Sequence, residues 1–221
     1  MFQNNLLMAS AGISKEVTCT LLDTGTVLGA ASSHTISGAT LGTAAADRQI
    51  VVCYGGGNIC ETGVISSITV GGADLTKIVS QNGSPQTGYR SEIWAAVIAT
   101  GTSGDIVITQ TCNSYWTSGH WYHMTGAAVG AAYTAGNSSI PMNASINCDA
   151  GGVIIGQGQC NNGYPMAWTN ITERSDIDNS CCGDASSSMD TFEAAQSSLS
   201  ITCTPTGSGN RALCLAAWSP A

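Results

Sequence analysis

Short segments in which apolar and polar residues alternate run through this chain, and turns rich in Gly, Asn and Ser separate them. In residues 63–70, for example, Val64, Ile68 and Val70 fall on one face of an extended chain. The alternation predicts strands at residues 16–22, 34–41, 48–54, 63–70, 74–80, 89–98, 104–110, 120–128, 143–148, 152–157, 197–204 and 211–218. Short strands at this spacing predict an all-β fold, either an antiparallel sandwich or a jelly roll.

Residues 158–196 depart from this alternation. They contain Asn161-Asn162-Gly163, most of the acidic residues of the second half of the chain, and the vicinal pair Cys181-Cys182. We therefore predict one long, irregular surface loop here, which is either a functional loop or a solvated insertion.

Residues 1–15 form a separate segment ahead of the first predicted strand. Their only charged side chain is that of Lys15, and they include the apolar group Phe2, Leu6, Leu7 and Met8. Because an apolar segment is costly to leave in water, we expect an arm that docks on a partner or on a neighbouring copy. A frayed terminus is the alternative. Residues 16–221 are predicted to form a single β domain.

The net charge is −8 and only 9% of the residues are charged. The six Lys and Arg residues are scattered, so no basic stripe is available to neutralise nucleic-acid phosphates. The longest apolar runs, such as residues 93–99, are far shorter than the ~20 residues that span a bilayer. We expect neither nucleic acid nor membrane as a partner. The first residues lack the basic region of a secretory signal, so we expect synthesis in a cytoplasm, with release, if any, by lysis.

The chain contains ten cysteines, and without an export signal they admit two interpretations. They are buried small hydrophobic side chains, or they oxidise once the protein has left the cell. Zinc is the weakest option, because no C-x₂₋₄-C pair is present. We expect no cofactor.

Two cysteine pairs fit β-hairpins. In CYGGGNIC, a two-residue glycine turn places Cys53 opposite Cys60, and in CTPTGSGNRALC a turn at Ser208-Gly209 places Cys203 opposite Cys214. Directly opposed strand residues have Cα atoms about 4.5–5.5 Å apart, which is within the range that a disulfide tolerates. The counts predict disulfides, or at least sulfur contacts, within both pairs.

Residues 21–26, Leu-Leu-Asp-Thr-Gly-Thr, have the form of an aspartic-protease active-site strand. Residues 153–156 resemble the glycine-ended strand that supports such a loop in retroviral-type proteases. That chemistry needs two carboxylates sharing a proton, so a single Asp23 would require a homodimer. Asp-Thr-Gly is also an ordinary turn sequence. We predict that Asp23 is structural, and a protease remains the remote alternative.

His120 and His123 are three residues apart. On a helix they would share a face and could hold a metal, but on the strand predicted here an odd offset sends them to opposite faces. We therefore expect no metal site. The chain also lacks a nucleophile elbow, a P-loop and a dinucleotide-binding glycine run, so we expect a non-enzymatic protein with no catalytic residues.

Aromatic residues next to Asn and Ser can stack on sugars, which motivates a carbohydrate-binding alternative. The candidates are Trp116, Trp121, Tyr122, Tyr164 and Trp168. A tryptophan in the core of a β-sandwich is the commoner explanation for such residues.

Four segments between about residues 34 and 110 follow one another in a familiar order. They are DRQIVV at 47–52, SITVGG at 67–72, EIWAAV at 92–97 and GTSGDIVI at 101–108. In these strand and turn patterns the chain resembles small β-rich virion proteins of tailed bacteriophages.

The resemblance implies a sandwich or jelly-roll subunit that decorates or cements a capsid, or one that belongs to the tail. It implies location in the virion, and as partners the major capsid protein and further copies of the chain, with a homotrimer expected from the local threefold positions of a shell. A carbohydrate- or receptor-binding tail module is the alternative.

Overall fold

The computed structural model describes residues 16–58, 63–85, 88–162, 165–179 and 183–221, and it confirms the all-β prediction. The paired strands are antiparallel. Their bounds are β1 Thr18–Thr40, β2 Gln49–Asn58, β3 Ile65–Val70, β4 Ala73–Asp74, β5 Thr76–Asn82, β6 Tyr89–Val97, β7 Ser103–Thr125, β8 Tyr133–Asn137, β9 Met142–Cys148, β10 Gly152–Cys160, β11 Met166–Thr169, β12 Glu173–Ile177, β13 Asp184–Phe192, β14 Gln196–Pro205 and β15 Arg211–Trp218. The predicted arm, residues 1–15, lies outside the described residues.

The strands form three sheets. The barrel-like sheet has the order β4-β3-β7-β2-β6-β5, with β1 on the other side of β7, and it is nearly closed. The middle sheet has the order β12-β13-β10-β15-β8, and the outer sheet the order β11-β14-β9. Within the described residues no helix is long and apolar enough to cross a membrane.

β1 and β7 form a ribbon in which each strand is 23 residues long. The sequence predicts two separate strands within each of them. The two strands stay paired through the intervening residues. β-Bulges there, for example between Leu28 and Ala31, accommodate the residues that interrupt the apolar–polar alternation. β7 pairs with β3 in its first half and with β2 in its second half.

The glycines of CYGGGNIC continue β2 rather than turning. Gly55, Gly56 and Gly57 pair with β6 on one side and β7 on the other. Glycine is needed there because a Cβ on Gly56 would overlap the Tyr54 hydroxyl and one on Gly57 would lie 2.9 Å from Trp116 Nε1.

The two predicted disulfides are wrong. Cys53 lies opposite Ile93 and His120 and is a free thiol, while Cys60 lies outside the described residues. Cys203 and Cys214 are also free, because β14 belongs to the outer sheet and β15 to the middle sheet. Neither hairpin forms, because β2 pairs with β6 and β7, β14 with β9 and β11, and β15 with β8 and β10.

The predicted irregular loop at residues 158–196 is also wrong, because it contains the end of β10 and the whole of β11, β12 and β13. β13, with the sequence DASSSMDTF, has a polar composition but is largely buried between β10 and β12. Two of its three serines accept hydrogen bonds from aromatic donors there. The Tyr122 hydroxyl donates to Ser187 Oγ at 2.7 Å, and Trp168 Nε1 donates to Ser186 Oγ at 2.7 Å.

The middle sheet is buried on both faces. Val153 and Ile155 of β10 join the core shared with the barrel-like sheet, whereas Ile154 joins the core shared with the outer sheet. β15 alternates in the same way, with Cys214, Ala216 and Trp218 on the barrel side and Leu213, Leu215 and Ala217 on the outer side. The hydrophobic effect therefore holds three layers together through one sheet.

Two glycines of β10 let the outer sheet approach this closely. A Cβ on Gly156 would lie 2.8 Å from the Trp168 ring, and a Cβ on Gly158 would lie 2.7 Å from Cys203 Sγ. Both distances are shorter than packed carbon atoms tolerate, so the indole and the thiol occupy the space that the missing side chains leave.

We expect Gly156→Ala to lower the free energy of unfolding by about 2 kcal/mol, because the added methyl overpacks the layer beneath Trp168. The matched control is Gly119→Ala in β7, where the nearest atom to the new Cβ, Ile36 Cδ1, is 3.4 Å away. That variant should be neutral or slightly stabilising, since alanine restricts the unfolded chain. Urea unfolding of both variants tests the packing, and equal stability would contradict it.

We expect Cys53, Cys203 and Cys214 to resist alkylation by iodoacetamide at about pH 8 in the folded protein and to react after unfolding in guanidinium. Burial raises the pKa of Cys214 to about 12 and raises the pKa of the other two thiols well above the usual value, so little nucleophilic thiolate forms. Mass spectrometry of the labelled digests measures this. If a non-reduced digest showed any of the three in a disulfide, the strand pairing described above would be incorrect.

Candidate interaction surface

β1 presents a long free edge. Among the described residues it pairs with β7 alone, so the backbone groups along its other side have no strand partner there. Natural edge strands are usually protected from further pairing by lysine, proline, bulges or shortness. β1 has 23 residues, no lysine and no proline, and Asp23 is its only acidic residue.

Bulges divide this edge, and the longest stretch of unbroken register is residues 23–28. From Asp23 to Leu28 each residue lies directly opposite one residue of β7, ending with Leu28 opposite Trp116. We call residues 23–28 the edge segment. It is the part of β1 best able to accept another strand, because continuous pairing needs evenly spaced donors and acceptors.

Two large side chains lie exposed beside the edge segment. Leu28 is 59% exposed, and Tyr115, adjacent to its partner Trp116, is 54% exposed. Apolar surface next to unpaired backbone is typical of a protein–protein contact, because an added strand would cover both.

Asp23 lies on this edge rather than in a turn. It sits at the bulge that follows Leu21, and its Oδ1 accepts a hydrogen bond from the Thr24 backbone N–H at 2.8 Å. The supporting strand proposed from residues 153–156 is in β10, which pairs with β13 and β15. The protease-like sequences are therefore not brought onto neighbouring strands, and Asp-Thr-Gly is part of a strand rather than of the turn that its sequence also suits.

The two histidines lie on opposite faces of β7, as predicted. His120 is fully buried against the middle sheet, where its Nδ1 is 3.1 Å from Gln157 Oε1 and its Nε2 has no partner. His123 Nε2 is instead 3.2 Å from the Thr43 carbonyl oxygen. In the described part of the chain, no group of three or more His, Cys, Asp or Glu side chains is placed to hold a metal ion.

Most of the aromatic candidates are core residues. Trp116, Trp121 and Tyr122 are at most 2% exposed, so the stacking alternative is wrong for these three and the core interpretation is confirmed. Trp168 is half-buried over the β10 glycines, while Tyr164 lies outside the described residues.

The barrel-like sheet also contains a buried charge cluster that the sequence pattern did not predict. Glu92 is fully buried, and its Oε1 accepts hydrogen bonds from Lys77 Nζ at 3.2 Å and Ser80 Oγ at 3.0 Å. Its Oε2 accepts one from Trp94 Nε1 at 2.7 Å, and Arg90 Nη1 lies 3.6 Å from Oε1. The available signal in the sequence was Glu92 itself, a single acidic residue within a largely apolar predicted strand. The cluster compensates a buried charge and fastens β5 to β6.

A second polar chain fastens β1 to the barrel interior. The Tyr54 hydroxyl donates to Gln110 Oε1 at 3.5 Å, and Gln110 Nε2 donates to Ser114 Oγ at 2.7 Å. Ser114 Oγ in turn lies 2.9 Å from His34 Nε2 of β1. The ribbon is thus anchored from inside, which leaves its outer edge available without loosening the body.

The comparisons with known proteins give no match: no family model, curated protein or solved structure is similar to this chain.

The buried His120 generates a pH prediction. Burial lowers the pKa of His120 to about 4, whereas the unfolded side chain titrates near its usual value of 6.5. As the pH falls from about 6.5 towards 4, the unfolded state takes up a proton that the folded state does not. Between about pH 7 and 5 this linkage removes about 2 kcal/mol of stability.

We expect His120→Gln to reduce this loss, whatever it does to stability at neutral pH, and His123→Gln to keep it. Urea unfolding of both variants and the parent at the two pH values measures the difference, and groups common to all three cancel. An unchanged pH dependence in His120→Gln would show that His120 does not carry the effect.

Proposed function

We propose that this protein is a non-enzymatic structural subunit of a virion, which attaches to a capsid shell and stabilises it by strand addition at the edge segment of β1. The observation that carries this proposal is the unprotected edge at residues 23–28, which ends at the exposed Leu28 with the exposed Tyr115 of β7 nearby.

Strand addition suits a shell protein because main-chain hydrogen bonds supply affinity independently of side-chain chemistry. The edge has few charges to repel a neighbour, and Leu28 adds apolar area beside it. Behind the edge, β1 is anchored by the contact between His34 and Ser114 of β7 and by the hydrophobic core of the barrel-like sheet. A strand added at this edge would therefore bind to a rigid unit. A cement subunit needs this rigidity to stabilise a shell.

The sequence resemblance to phage virion proteins lies in the same part of the molecule. The segments that carry it fall in β2, β3, β6 and the first half of β7, all of which belong to the barrel-like sheet. The partners proposed from it are the major capsid protein and further copies of the chain, arranged as a homotrimer at a local threefold position.

We expect Leu28→Lys to weaken binding to purified shells that lack the protein by roughly tenfold or more, because lysine on an edge opposes strand addition. Its free energy of unfolding should change by less than about 0.5 kcal/mol, since Leu28 is exposed. The matched control is Thr204→Lys, an exposed position on β14 that lies opposite Ala167 of β11 in the outer sheet. It adds the same charge and should bind like the parent.

Shells assembled without the protein should form but rupture at lower temperature, and adding the parent protein should restore their resistance. If removing the protein leaves the shell equally robust and instead abolishes adsorption to the host, the proposal is wrong and a receptor-binding role replaces it. Equal binding by Leu28→Lys and Thr204→Lys would show that the contact with the shell does not involve the edge segment of β1.

A further inference from the structure

The interface between the barrel-like sheet and the middle sheet changes from apolar to polar along its strands. Tyr122 of β7 and Ile155 of β10 belong to its apolar core. Because side chains two residues apart share a face of a strand, the same two faces continue with residues that carry polar atoms. We call these residues the polar layer: Trp116, Ser118 and His120 of β7, with Gln157 and Gln159 of β10. All five are fully buried.

Hydrogen bonds within the polar layer determine which nitrogen of His120 carries the proton. Gln157 Nε2 donates to the Gly158 carbonyl oxygen at 3.0 Å, so the Gln157 amide turns its Oε1 towards His120 Nδ1, 3.1 Å away. Because an amide oxygen can only accept, Nδ1 carries the proton of the neutral ring. The other ring nitrogen, Nε2, is then an acceptor, and it is buried without a hydrogen-bond partner among the described residues.

Three further buried atoms of the polar layer lack a partner in the described part of the chain. They are Trp116 Nε1, Gln159 Nε2 and Gln159 Oε1. A Cβ on Gly55, which pairs with Ser118, would lie 3.6 Å from Gln159 Cβ. Gln159 therefore packs over the row of Ser118, between Trp116 and His120. Buried polar atoms are costly unless they are hydrogen-bonded, and ordered water is the usual partner where the protein supplies none.

We infer that the polar layer binds ordered water molecules, which bridge Trp116, His120 and Gln159 between the two sheets. The indole N–H and the amide NH₂ need an acceptor, whereas His120 Nε2 and Gln159 Oε1 need a donor. A water molecule supplies both, a chloride ion can only accept, and a metal cation binds only acceptors. Gly57 keeps side chains away from the indole nitrogen, since a Cβ there would lie 2.9 Å from Trp116 Nε1. This inference is independent of the proposed virion role.

Magnetisation transfer between water and indole N–H protons, measured by NMR on the full chain, tests the inference directly. The Trp116 indole proton should show a water cross-peak with the sign of a long-lived bound water. Trp218 is the control, because its Nε1 is also buried without a partner among the described residues but lies in the apolar core. A Trp116 signal no stronger than that of Trp218 would overturn the inference. Ser118→Ala removes a neighbouring exchangeable hydroxyl, and loss of the cross-peak in that variant would also overturn it.

Urea unfolding of Gln159→Met provides a second readout. Methionine keeps the length of the side chain but removes the amide, so the bound water loses partners while Trp116 and His120 still need it. The folding equilibrium constant should fall by roughly tenfold, and the Trp116 cross-peak should weaken. If no water were bound, methionine would replace an unpaired buried amide by an apolar group and the constant would rise. An unchanged or raised folding constant would therefore contradict the inference.

Discussion

Burial of the middle sheet on both faces is the constraint on which the rest of this structure depends. Every residue of β10 is buried, with the barrel-like sheet on one side and the outer sheet on the other. A strand in that position has no face for charged side chains, and its neighbours must approach closely. Gly156 and Gly158 meet the second requirement because the Trp168 ring and Cys203 pack where side chains would stand.

Several polar groups within these layers form hydrogen bonds that join one sheet to the next. The Tyr122 hydroxyl donates to Ser187 and the His120 ring contacts Gln157, and both contacts cross between the barrel-like and middle sheets. Buried polar groups are costly unless they are paired, so such bonds favour one arrangement of the sheets over others. The buried carboxylate of Glu92 is also paired, but its partners lie within a single sheet.

The contrast between this interior and β1 underlies the proposed role. The inner strands of each sheet have a neighbour on both sides, whereas the outer side of β1 offers backbone groups and few charges to its surroundings. A rigid body with one receptive edge can join subunits without changing shape, and the energy of strand addition is then not spent on ordering the subunit.

The sequence by itself determined the all-β class, most of the strand positions and the opposite facing of His120 and His123, because alternation records locally which residues are extended and which face each occupies. The tertiary structure alone decided that Gly55–Gly57 continue a strand, that Cys203 and Cys214 belong to different sheets, and that the serines of β13 are buried. It also decided that β1 is an edge. Contacts between distant parts of the chain determine which strands become neighbours. A serine-rich segment also looks the same in the sequence whether water or a tyrosine hydroxyl forms hydrogen bonds with its serines.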